Sequence, residues 1–332
     1  MSRLSAALLP MVLAACACSS TAETSDPVDA ALVAIDAAAV DTDGAPVAVD
    51  ATPDAVPDAA TPAIPSSHGQ GGLVCTRTGA ATQGGTHYPY CVATVGGVEM
   101  KIVEPAAGGA GPLHLAVYLH GDGAGPYGSD LDLRKLAPWT RTHRVLLVSA
   151  LAPNGCAWWL KPSYMVCDGN TPVPDTAIDT DGENAAALNT AMDALRAAWD
   201  VADDAVLYGG SSGGSIFLTS SFLPLYGDRR PGVFALSCGG DAPFAGRLAW
   251  DAGDSALVSA NALFFTYGDK DFVAPDVLQS IDFYHGLSFA TDVTVIPETV
   301  ADGTTSHCGN VGGTYSYDQI GRVSEVWAAA SE

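Results

Sequence analysis

The chain has 332 residues, with 14 Lys plus Arg against 37 Asp plus Glu and a formal net charge of −23. So acidic a surface disfavours nucleic acid and anionic lipid faces as partners. Hydrophobic residues make up 48% of the chain, enough for the core of one large domain.

The first residues read as a targeting segment. Arg3 precedes a short apolar run, Leu4 to Ala15, too short to span a bilayer. The run ends in Leu13-Ala-Ala-Cys16, which resembles a bacterial lipoprotein cleavage site. The resemblance implies removal of residues 1–15 and lipid attachment at Cys16; an ordinary secretory signal is the alternative. Either way the chain is expected to be exported, at the periplasmic or cell surface or released, with the lipid as its only membrane contact.

Residues 16–70 are rich in Ala, Asp, Pro, Thr and Val; from Ala17 on they lack Lys, Arg and aromatic residues. Such a stretch buries too little apolar surface to offset its ordering entropy and is expected to be an extended tether. Residues 71–332 then form one domain.

Within that domain, residues 92–103 alternate in polarity about Gly96-Gly97 and predict a hairpin. His114 to Leu119 and Arg144 to Leu151 are continuous apolar runs that predict buried strands. Asn184 to Trp199 carries apolar residues at helical spacing. A strand at 205–208 precedes a helix from about Ser212 that Pro224 is expected to stop. Strands follow at 233–237, 262–267 and 292–297, with helices near 274–287 and 316–330. Strands alternating with helices predict an α/β domain: a mostly parallel central sheet, helices on both faces, and ligands at the carboxyl ends of the strands. The short interval between strands 233–237 and 262–267 leaves little room for a large lid.

Beyond Cys16 and Cys18 there are six cysteines, an even number that suggests disulfides in an exported chain. Local proximity favours Cys75 with Cys91 and Cys156 with Cys167, leaving Cys238 with Cys308. There is no Cys-x-x-Cys pair to suggest zinc. Asp179-x-Asp181-Gly-Glu-Asn184 lacks the glycine and terminal glutamate of a calcium loop and reads as a helix start. No metal or cofactor is expected.

The chemistry lies in Val206-Leu-Tyr-Gly-Gly-Ser-Ser-Gly-Gly-Ser215, an apolar run that breaks into glycines around two serines. It reads as a nucleophile elbow, in which glycines let strand and helix pass closely while a serine points outward. Ser211 has Gly209, Gly213 and Gly214 at the tight positions, whereas Ser212 has Gly210, Gly214 and Ser215; Ser211 is favoured. A hydroxyl needs a base, and His307 follows the last strand in a loop that lets its ring reach the elbow. Asp271, at the end of Phe264-Phe-Thr-Tyr-Gly-Asp-Lys-Asp271, is favoured over Asp269 to orient the imidazole. Gly121 and Asp122, in His120-Gly-Asp-Gly123, and the N–H of Ser212 are the expected oxyanion donors. Trp158 and Trp159 are candidate pocket residues.

Strand-His-Gly-x-Gly, then Gly-x-Ser-Ser-Gly-Gly, Gly-x-x-Asp-x-x-Val (here with Val273 one place early) and a late His resemble the α/β-hydrolase family, within it the secreted polyhydroxybutyrate depolymerases and feruloyl or acetylxylan esterases. Cys156-Ala-Trp-Trp159 resembles a Cys-Trp-x-Trp stretch of that group, and Gly309 departs from it where a tryptophan often stands. The resemblance covers nearly the whole domain. It implies an α/β-hydrolase fold and a lipid-anchored serine esterase acting on polymer-attached carboxylic esters through an acyl-enzyme. A serine peptidase of the same fold, or a non-catalytic surface binding protein, are the alternatives.

Overall fold

A computed structural model describes residues 66–106, 111–166, 172–300, 304–311 and 314–331. Cys16 and most of the expected tether lie outside the described residues.

The chain opens with three antiparallel strands, β1 (Arg77–Gln83), β2 (Thr86–Val95) and β3 (Val98–Val103). β2 turns into β3 at Gly96 and Gly97, both at positive φ (59° and 86°), as the expected hairpin requires. Then come β4 (His114–Leu119), α1 (Gly125–Gly128), α2 (Leu131–Thr140), β5 (Val145–Leu151), α3 (Glu183–Ala198) and β6 (Val206–Ser211). A helical stretch follows, α4 (Gly213–Phe217), a π-turn (Leu218–Phe222) and α5 (Leu223–Tyr226). β7 (Gly232–Ser237), α6 (Ser255–Ser259), β8 (Ala262–Gly268), α7 (Ala274–Gly286) and β9 (Ala290–Ile296) lead to a small ribbon, β10 (Asn310–Val311) with β11 (Thr314–Tyr315), and to α8 (Gln319–Ala330).

Nine strands form one sheet in the order β1-β2-β3-β5-β4-β6-β7-β8-β9. From β5 to β9 neighbours are parallel; β3 joins β5 antiparallel. Side chains alternate between two cores. Leu115, Val117 and Leu119 point to the face covered by α3, α7 and the 213–226 helix, whereas Ala116 and Tyr118 point to the face covered by α2 and α8. Burial on both faces explains why the central strands read as continuous apolar runs. This mostly parallel sheet, sandwiched by helices and carrying a sharp β6–α4 turn, is the α/β-hydrolase fold. Between β7 and β8 the described chain holds only the five-residue α6. Among the described residues no helix is long and apolar enough to cross a membrane.

Several elements depart from expectation; α1, α2, α6 and the β10–β11 ribbon are not among the predicted ones. β1 was not foreseen, because its sequence RTGAATQ has almost no apolar signal; it forms by pairing with β2, to which the Cys75–Cys91 disulfide ties its approach. The helix after β6 does not stop at Pro224 but runs to Tyr226. Proline has no N–H to donate one turn back. The Ser220 carbonyl accepts from Phe244 N–H (3.1 Å) instead, and the π-turn takes up the change.

The β6–α4 turn is packed against backbone. A Cβ at Gly210 would lie 2.7 Å from Ser215 N, and one at Gly214 2.3 Å from Leu119 O. Gly210→Ala should therefore destabilise the domain by about 1–3 kcal/mol, the usual cost of overpacking, as a lower urea midpoint with unchanged m-value.

Candidate active site

The carboxyl ends of β4, β6, β7 and β8 meet at one edge of the sheet, and the functional side chains converge there. Ser211, the residue favoured from sequence, is still in the ladder, paired with Ser237 on β7. Its side chain is buried on the α2–α8 face, 2.9 Å from Tyr118 Oη. Ser212 leaves the ladder with φ 50° and ψ −120°, a region non-glycine residues rarely occupy. Its Oγ lies 2.7 Å from His307 Nε2. The favoured position thus moves by one residue: the elbow is Gly210-Ser-Ser212-Gly-Gly214, and strand pairing rather than glycine count decides it.

His307 Nδ1 is 2.9 Å from Asp271 Oδ1. A carboxylate only accepts, so Nδ1 carries the proton and Nε2 is free to accept from Ser212. Asp271 is buried, and its other oxygen accepts from Cys308 N–H (2.8 Å). Asp269 serves the turn, accepting from Glu298 N–H at 2.8 Å. The acid and base loops are stitched together: Ser306 N–H donates to Lys270 O (3.0 Å) and Phe272 N–H to Ser306 O (3.1 Å). The Cys238–Cys308 disulfide joins the residue after His307 to the end of β7. Cys156 is also in a disulfide, and its expected partner Cys167 lies outside the described residues. Asp271, His307 and Cys308 are close enough to hold a metal ion by distance. With its sulfur in a disulfide, Cys308 has no thiolate to offer one.

Of the expected oxyanion donors, Ser212 N–H is excluded, because it donates to Ser237 O at 2.9 Å. In the shifted register the residue after the serine is Gly213, which sequence reasoning missed; the same one-residue shift would have found it. Gly121 packs on the elbow, where a Cβ would lie 3.1 Å from Ser211 O. Asp122 follows it, and neither its N–H nor that of Gly213 has a hydrogen-bond partner among the described residues. His120, fully buried, locks this loop: Ala152 N–H donates to its Nε2 (3.1 Å), which leaves Nδ1–H to donate to Gly121 O (2.7 Å).

The two tryptophans separate. Trp158 is core, its ring tilted against that of Phe217 with centroids 5.1 Å apart, and it does not line the cleft. Trp159 lines it, donating its indole N–H to Asp122 Oδ1 at 3.0 Å. The cleft has a volume of about 660 Å³. Phe244, Phe272 and Tyr315 add aromatic surface that the sequence did not single out; Phe272 is 59% exposed and lies against the His307 ring, centroids 4.5 Å apart. Among the described residues three carboxylates, Asp122, Asp241 and Asp276, line the cleft, and no Lys or Arg does. Burial raises the Asp122 carboxyl, opposed by the Trp159 bond; burial and the charge of Asp276 raise that of Asp241. Outside the cleft, Asp179 accepts from Glu183 N–H and Asn184 N–H, so its loop starts α3 as expected.

No protein-family model and no curated protein matches the sequence. Solved structures similar to it include a thermostable esterase (12% identity, TM-score 0.45), with 77% of this chain and 60% of that one covered. A hormone-sensitive lipase from a metagenome library is similar at 14% identity and TM-score 0.44, with 80% and 89% covered. A poly(aspartic acid) hydrolase from a Sphingomonas species is similar at 14% and 0.42, with 77% and 96% covered.

Burial lowers His120 from the ordinary 6.5 to about 4. The fold therefore holds it neutral, whereas the unfolded chain takes up a proton below about pH 6.5. Its contribution is complete above that pH and is lost as pH falls toward about 4, by up to roughly 3 kcal/mol. Urea titrations at pH 7 and pH 4.5 should show the wild type losing more stability between them than His120→Gln, by about 2–3 kcal/mol.

Proposed function

We propose that the protein is a serine ester hydrolase working through an acyl-enzyme. The single observation that carries the reading is the chain of contacts from Ser212 Oγ to His307 Nε2 (2.7 Å) and from His307 Nδ1 to Asp271 (2.9 Å). His307 takes the Ser212 proton as Oγ attacks an ester carbonyl, and Asp271 stabilises the imidazolium without taking the proton. The N–H groups of Gly213 and Asp122 receive the developing oxyanion, worth about 3–4 kcal/mol per donor. His307 then protonates the leaving alcohol, and water, deprotonated by the same ring, releases the acid.

The substrate in this reading is a polymer-attached carboxylic ester: a polyhydroxyalkanoate, feruloyl or acetyl ester. The sequence resemblance and the aromatic rim of Phe272 and Tyr315, both 59% exposed, support it. The reading extends to an exported enzyme, lipid-anchored through Cys16, on the pattern Leu13-Ala-Ala-Cys16 alone.

Ser212→Ala should abolish fluorophosphonate labelling and lower kcat on short acyl esters by at least about 10⁴-fold, whereas Ser211→Ala keeps most of both. Asp271→Asn should cost about 10⁴-fold, through loss of the correct imidazole tautomer. Labelling that survives Ser212→Ala would sink the assignment. A folded wild type that takes no label would favour a binding role, and cleavage of a peptide panel but not an ester panel would favour a peptidase.

A further inference from the structure

One buried carboxylate beside the acid and base loops takes no part in the chemistry above. Glu298 stands just beyond the end of β9 and is 7% exposed. Its backbone is fastened to the turn after β8: Glu298 N–H donates to Asp269 Oδ1 (2.8 Å), and Asp269 N–H donates to Ile296 O (3.0 Å). Gly268 ends β8 against its side chain, where a Cβ would run into the carboxylate. Among the described residues no Lys, Arg or His lies within ion-pair distance of it. A buried carboxylate without a cation costs free energy that an apolar side chain in the same space would avoid. What an apolar side chain could not do is fix a hydroxyl in direction.

Both Glu298 oxygens do that, on either side of the imidazole. The Ser306 hydroxyl donates to Oε2, and the Ser316 hydroxyl donates to Oε1 at 2.9 Å. Ser306 immediately precedes His307 and is buried. Ser316 N–H donates to the carbonyl of Gly309, shortly after His307, at 2.8 Å. The peptide groups of Ser306 face the other way. They bond to Lys270 O and Phe272 N–H, the residues flanking Asp271. Ser306 is thus held through its backbone by the acid loop and through its side chain by Glu298. A small shift of this residue would carry the His307 ring away from Ser212 Oγ (2.7 Å) or from Asp271 (2.9 Å).

We propose that Glu298 is a positioning residue for the reaction at Ser212, acting through the Ser306 hydroxyl to keep the His307 ring aligned with Ser212 and Asp271 at once. The proposal rests on the ester-hydrolase reading and adds a residue to it. Glu298 does not line the cleft, so its loss should slow proton transfer and leave substrate binding alone.

The test compares Glu298→Gln, which keeps the volume but leaves one acceptor oxygen for two hydroxyls, with Ser306→Ala and with the double variant. On a short acyl ester Glu298→Gln should lower kcat about tenfold with KM within about twofold, because a misplaced base costs rate rather than affinity. Fluorophosphonate labelling should slow by the same factor yet still reach completion. A carboxylate that served stability alone would lower the extent of labelling, through the folded fraction, and leave its rate unchanged. Ser306→Ala should match Glu298→Gln, and the double variant should be no slower than either, since both break one link. Should Glu298→Gln fail to fold, Ser306→Ala, which deletes a single hydroxyl, carries the same expectation on rate and extent. Unchanged rates, a rise in KM with kcat intact, or effects that multiply in the double variant each overturn the positioning role and leave the esterase standing. A folded wild type that neither labels nor hydrolyses esters overturns the esterase and the positioning role together.

Discussion

The site depends on one strained residue. Ser212 sits at φ 50° and ψ −120°, a conformation that costs on the order of 1–3 kcal/mol for a residue with a side chain. It persists because neighbours leave no alternative. Its N–H is held by Ser237 O, its carbonyl side lies against Gly239, and Gly210 and Gly214 bring the strand and helix together around it. Removing the residue from the ladder turns its hydroxyl out of the sheet, toward the imidazole. Ser211, one place earlier and still paired, turns its hydroxyl into the core.

That difference shows what the sequence could and could not convey. Runs such as His114–Leu119 and Val145–Leu151 are legible because both faces of the sheet are covered, so nearly every position is apolar, and the buried Ser149 is bonded to Asp132. That His307 and Asp271 lie within reach of each other was legible because each follows a strand in the right order along the chain. The choice between two adjacent serines was not: Gly209-Gly210-Ser211-Ser212-Gly213-Gly214 contains two overlapping Gly-x-Ser-x-Gly patterns. Only the pairing of β6 with β7 distinguishes them, and pairing is a tertiary fact. The same holds for β1, whose polar residues become a strand because β2 offers free backbone groups, and for Trp158, whose neighbour Trp159 carries the same side chain to the cleft. Pro224 misled for a local reason, since the carbonyl it leaves unpaired finds Phe244 from a distant loop.

The loop after β4 illustrates how a titratable residue can serve by not titrating. His120 is neutral through burial, and its two nitrogens, one donating and one accepting, fasten the loop to itself and to the chain after β5. A charged ring would have two protons to donate and only one acceptor in place.

The imidazole of His307 is moored on every side. Asp271 grips both its ring and the next peptide, Ser306 is bonded to the residues flanking Asp271, and Cys308 is bound covalently to the strand beside the elbow. A ring so fixed can swivel but not travel. In the proposed reaction each departing alcohol and each arriving water would have to come to that ring, so the way the substrate chain is laid down, rather than a closing of the protein over it, would set the stereochemistry.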